Sequence, residues 1–271
     1  MAIADVLVYV DNDKALSARV RACVDLCTYY KARLKGVYSP RRVVIPAYAG
    51  PYIPQHVFDA TEKETDDLQR DAQAVYEEVA APLEYGFDFH CAESEPVDSL
   101  NILSRLADLV VVPQRIAERD DLNFRYDVPD VLIGSACPVL LLPPDYMPSF
   151  PIKRAMIAWD GGRESARAFH AALPLLADAE QVNVVRAGKD GEQSSHDFAQ
   201  HISRHGLNTD VHILDCVPFD EERTLLNTAK SLNCDLLIMG AYGHSRFREF
   251  VLGGATKYAI QHAPLPVLFS H

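Results

Sequence analysis

The sequence predicts an α/β chain made of two tandem units, each an open parallel sheet of five strands. Three observations lead there. Short β-branched runs alternate with longer helical patterns, the signature of βαβ units. Each half holds five such runs in similar order: Asp5–Val10, Leu34–Tyr38, Phe87–Ala92, Leu109–Val112 and Val139–Leu142, then Arg154–Trp159, Val182–Arg186, Thr209–Leu214, Leu236–Met239 and Val267–Phe269. Local sequence also recurs in the same order. An apolar strand ends in Asp11 and again in Asp160, Ala107–Val112 resembles Cys234–Met239, and Cys137–Leu141 resembles Leu265–Phe269. Three ordered matches argue for duplication.

The helical segments follow from periodicity. Lys14–Ala32 places Leu16, Val20, Cys23, Val24 and Cys27 on one face. Pro40–His56, rich in proline and tyrosine, reads as an extra loop of the first half, and Thr61–Leu83 as a long helix with an acidic face. Ser165–Leu176 follows the start signal Asp160 to Glu164. Ser194–Arg204 should end at Gly206 in a left-handed cap, and Ala255–His262 is the last helix. Four prolines between Pro143 and Pro151 cannot continue a helix or a central strand. The expected division is therefore residues 1–143, a proline-rich linker at 144–152, and residues 153–271. The linker is short, and Val139–Leu142 and Val267–Phe269 would each be an exposed apolar edge if left alone, so these two strands are expected to pair within the chain.

Net charge is −12, which argues against nucleic acid or an anionic membrane as partner, since both need a basic footprint. No apolar run approaches the roughly 20 residues of a membrane span, and the first residues read as a strand rather than a leader. A cytoplasmic protein is expected. The six cysteines form no CxxC pair. Cys23 and Cys27 share a helix face without a partner to complete a metal site. His201 and His205 stand four apart with His196 nearby, and again no carboxylate or thiol completes a set, so no metal is expected. A Gly-x-Ser-x-Gly elbow is absent, and no catalytic residue is assigned.

The densest chemical signal is a glycine loop. Gly240 and Gly243 directly follow an apolar strand, and Gly253 and Gly254 open the next helix. A loop from the C-terminal end of a parallel strand to a helix N-terminus is where open α/β sheets bind ligands, and the helix end exposes N–H groups to an anion. The run Gly240-x2-Gly243-x9-Gly253-Gly254-Ala255-Thr256, with the strand before it and His262–Leu268 after it, resembles the nucleotide-binding signature of the universal stress proteins. The resemblance covers Lys153–His271 and extends more weakly over the first half. It implies a flavodoxin- or Rossmann-like fold of the adenine nucleotide α-hydrolase type, strand order 3-2-1-4-5, and ATP, ADP or AMP as ligand, with or without Mg. It further implies that Ala158, Trp159 and Asp160 sit near adenine and ribose, Val185, Arg186 and Ala187 border the adenine, and Met239 and Gly240 line the ribose. Tyr242, Gly243, His244, Gly253, Gly254, Ala255 and Thr256 would surround the phosphates. The chain departs from the signature at Gly254, where the family carries Ser or Thr. The first half keeps Asp11 but has Pro113 in place of Gly240 and no glycine pair, so one site per chain is expected. The function implied is a nucleotide-responsive stress protein, able to form a homodimer and at most a weak ATPase. The alternatives are a scaffold that no longer uses nucleotide and, with less support, a hydrolase of the related α-hydrolase group.

Overall fold

The computed structural model describes residues 3–40, 54–114, 127–144, 146, 149–188, 192–215, 220–241 and 254–271. Ten strands are present: β1 Asp5–Val10, β2 Arg33–Tyr38, β3 Phe87–Cys91, β4 Leu109–Pro113, β5 Val139–Leu142, β6 Arg154–Ala158, β7 Gln181–Ala187, β8 Thr209–Leu214, β9 Leu236–Gly240 and β10 Val267–Ser270. The helices are α1 Leu16–Tyr30, α2 Gln55–Ala80, α3 Pro96–Leu103, α4 Val128–Gly134, α5 Arg163–Ala172, α6 Glu192–Ser203, α7 Glu221–Ser231 and α8 Gly254–His262.

The strand order is β3-β2-β1-β4-β5-β10-β9-β6-β7-β8. Each half taken alone runs 3-2-1-4-5 in from its outer edge. The two five-stranded units form one ten-stranded sheet, mixed in direction. Among the described residues, pairings within each half are parallel and only β5 with β10 is antiparallel, with Val267 opposite Leu141, Leu268 opposite Leu140 and Phe269 opposite Val139. Joining the two edges satisfies backbone groups that would otherwise be exposed between apolar side chains.

Helices cover both faces, so the central strands are apolar without interruption. Alternate residues serve opposite sides. Val6, Val8 and Val10 pack with Val20, Tyr76, Phe169 and Ile202 from α1, α2, α5 and α6. Leu7 and Tyr9 pack with Leu100, Val131, Leu225 and Ile260 from α3, α4, α7 and α8. Each of these cores runs across the junction. Leu140 and Leu268 belong to the first, Leu141 and Phe269 to the second. Gln114, buried just after β4, adds a polar tie by donating from Nε2 to the Ala263 carbonyl at 3.0 Å. The Tyr29 hydroxyl donates to the Asp178 carboxylate, also across the two halves.

Helix ends differ from expectation in instructive ways. The second helix starts at Gln55, not Thr61, because its first turns face solvent and carry no apolar stripe to register. Gln55 and His56 thus belong to α2, and residues 41–53 of the expected loop lie outside the described residues. The fifth starts at Arg163 behind Gly162, and Leu173–Leu176 form turns instead of helix. Gly206 does adopt positive φ, at 82°.

One close approach positions the site. A Cβ on Gly240 would lie 2.5 Å from the Ser165 backbone nitrogen and 2.6 Å from the Glu164 carbonyl carbon. The first turn of α5 therefore rests on the end of β9, and only a residue without a side chain permits it.

Two outcomes follow. Gly240→Ala should cost about 1–3 kcal/mol, because the colliding atoms are backbone and cannot swing away. An unchanged urea midpoint would contradict this packing. Leu268→Lys places a charge at a fully buried junction position, and should raise hydrogen exchange at Val139–Leu142 in the other half. Unaltered protection of those amides would show that β5 does not depend on β10.

Candidate functional site

The turn after β6 is built from local sequence. The Asp160 Oδ1 accepts from the Gly162 N–H at 2.7 Å and from the Ser165 hydroxyl at 2.6 Å. Gly161 between them has φ of 82°, a conformation that favours glycine. The Asp-Gly-Gly run thus closes a tight turn, and a serine one helical turn later locks it to α5. Just before it, Trp159 stays in the sheet ladder through its N–H to the Val185 carbonyl at 2.8 Å. Its ring stacks on Phe198 with centroids 3.7 Å apart and 8° between planes, while Nε1 donates to the Ser194 hydroxyl at 3.1 Å.

These elements enclose a cavity of about 360 Å³ at the C-terminal ends of β6, β7 and β9. It sits where the strand order reverses, between β6 and β9. Ala158, Trp159 and Asp160 line it from β6, and Val185, Arg186 and Ala187 from β7. Met239 and Gly240 come from β9, and Gly254, Ala255 and Thr256 from the start of α8. The structure therefore brings together residues that the sequence scattered over about a hundred positions. Tyr242, Gly243, His244 and Gly253 lie outside the described residues. Sequence reasoning missed Ser165 and Leu225 as lining residues. Ser165 was recognisable only as a helix start, and Leu225 is one more apolar position of α7.

The cavity combines an apolar wall with polar groups at its rim. Val185, Leu225 and Met239 supply the wall. The Arg186 guanidinium contributes a cation whose Nε and Nη1 are buried without a hydrogen-bond partner. Such donors are costly unless something accepts from them. At the far side the first turn of α8 carries the N–H groups that a helix leaves unpaired.

The corresponding corner of the first half holds a buried ion pair. Asp11 is buried and pairs with the buried Arg19 of α1, Nη2 to Oδ1 at 2.6 Å. Arg19 Nε also donates to the Tyr9 carbonyl at 3.1 Å. The equivalent α5 position, Ala168, has no charge. Pro113 ends β4 where Gly240 ends β9.

Other candidates offer less. His170 of α5 joins His201 and His205 around Phe169, with the three imidazole centroids 5.1–6.5 Å apart. Desolvation, and then the charges of His205, His170 and Arg204, push the His201 pKa down. Among the described residues no group of three His, Cys, Asp or Glu is placed to hold a metal ion. Burial pushes Cys27 up to about 12, and Cys137 and Cys234 up to about 11, so these thiols are poor nucleophiles. Among the described residues no helix is long and apolar enough to cross a membrane.

Comparison with known proteins agrees with this architecture. The family model described as the universal stress protein family matches residues 151–271. Universal stress protein Slr1230 of Synechocystis sp. (strain ATCC 27184 / PCC 6803 / Kazusa) is 29% identical over 138 residues, 48% of this chain and 46% of that protein. The chain thus spans about half the length of this curated relative. A universal stress protein from Archaeoglobus fulgidus DSM 4304 superimposes with a TM-score of 0.71 at 16% identity, covering 98% of this chain and 97% of that one. A functionally unknown protein from Pseudomonas aeruginosa PAO1 gives a TM-score of 0.61 at 13% identity, over 99% and 92%. At these identities the two structures establish the fold, and they do so for both halves. The universal stress protein family model thus matches the second half of the chain, and the fold of these structures extends over its whole length.

Proposed function

We propose that this protein binds one adenine nucleotide per chain, in the cavity between β6, β7, β9 and α8, and acts as a nucleotide-responsive stress protein. The observation that carries the proposal is the convergence in one cavity of Asp160, the end of β7, Gly240 and the N-terminus of α8. A volume of about 360 Å³ falls in the ordinary range of small-ligand pockets, roughly 300–1,000 Å³. The residues present suit the ligand. The apolar wall of Val185, Leu225 and Met239 accepts a flat base. The Asp160 carboxylate is an acceptor for ribose hydroxyls. Gly240 and Gly254 let a ligand approach the backbone, and the N–H groups of α8 face an anion. Arg186 supplies two buried donors, Nε and Nη1, that lack a partner among the described residues. The role assigned is binding rather than hydrolysis, and the bound nucleotide would act by altering a partner surface beside the cavity.

The test compares two aspartates that end equivalent strands. Asp160→Ala should weaken nucleotide binding by the value of a charge-assisted hydrogen bond, about 1.5–3 kcal/mol or roughly ten- to hundredfold. Asp11→Ala should leave affinity nearly unchanged but lower stability, since it strands the buried Arg19. Calorimetric titration of both variants decides. Equal losses would contradict a single second-half site, and no heat with ATP, ADP or AMP would favour a scaffold.

A further inference from the structure

We infer that Glu222 sets the phosphate preference of this cavity, so that it takes adenine ligands with at most one phosphate over di- and triphosphates. The inference rests on the reading of the cavity as an adenine-nucleotide site. Glu222 lies in the first turn of α7, three residues before Leu225, which lines the cavity. Residues three apart share a helix face, so both are directed toward α8. A Cβ built on Gly254 would fall 2.1 Å from the Glu222 Oε1 and 3.2 Å from its Cδ. The carboxylate therefore lies against the first residue of α8, in space that the serine or threonine expected from the family signature would contest.

The electrostatic consequence is direct. A helix N-terminus carries partial positive charge and stabilises one nearby anion. Here the chain supplies that anion itself. A ligand phosphate arriving at Gly254, Ala255 and Thr256 meets a fixed negative charge on the helix end it needs. Repulsion grows with the charge of the phosphate chain, because both charges sit at the same helix end. A nucleoside meets no such penalty and a monophosphate a small one. The triphosphate needs a divalent cation between its oxygens and the carboxylate, or must push Glu222 aside.

The experiment is calorimetric titration of the full chain with adenosine, AMP, ADP and ATP, each with and without Mg²⁺. Without Mg²⁺ the wild-type chain should bind AMP about tenfold or more tightly than ATP. Glu222→Gln keeps the side-chain shape and removes the charge. It should shrink that ratio about tenfold and leave adenosine affinity within about twofold. Glu222→Lys, as a second variant, should move the ratio further the same way. If adenosine binds but neither variant changes the ratio of AMP to ATP, the inference is wrong and the nucleotide site stands. If the wild-type chain binds none of the four ligands, the nucleotide reading falls, and this inference falls with it.

Discussion

The antiparallel pairing of β5 with β10 fixes which parts of the two halves can meet. Strands within each half are parallel, so their C-terminal ends share one edge of the sheet. Reversing direction at the junction puts the two sets of C-terminal ends on opposite edges. The corner at Asp11 and the cavity at Asp160 are therefore remote from each other and cannot share a ligand. The junction brings the halves together with three residue pairs and a continuous core on each face. It is short, yet fully apolar, and burying Leu141, Leu268 and Phe269 makes it costly to open.

Duplication supplied two equivalent corners, and electrostatics separates them. In the first half the strand-end carboxylate is neutralised by a cation from its own helix, Arg19, at 2.6 Å. A buried pair of this kind is hard to break, because losing either partner leaves the other charge without compensation. In the second half the carboxylate accepts from a glycine N–H and a serine hydroxyl, which fix the turn after β6. The cation at that corner, Arg186, has buried donors with no hydrogen-bond partner among the described residues. One corner spends its charges on the fold, and the other holds them at the rim of a cavity.

Much of this was legible in the sequence. Strands buried on both faces write themselves as unbroken apolar runs, and every one of the ten fell within a residue or so of its expected place. The same holds for residues whose role is backbone geometry. Asp160 ends a strand, and Gly240 stands where only glycine fits. What was not legible depends on contacts between distant segments. The exposed first turns of α2 have no pattern to betray them. Ser165 and Leu225 look like ordinary helix positions until α5 and α7 are placed beside β9. Glu222 is one carboxylate in an acidic first turn, and nothing in the sequence says that it reaches Gly254, 32 positions later. The three histidines around Phe169 illustrate the same limit, since His170 belongs to a different helix from His201 and His205.

A single nucleotide site in the second half is what distinguishes the two corners. Native mass spectrometry of the full chain with saturating AMP tests it most directly, because it counts bound ligands instead of inferring them. One AMP per chain is expected at saturation and, in a second measurement at an AMP concentration near the wild-type dissociation constant, a largely ligand-free chain when Asp160 is replaced by alanine. Two AMP per chain, or one that persists unchanged in the Asp160→Ala variant, would contradict it.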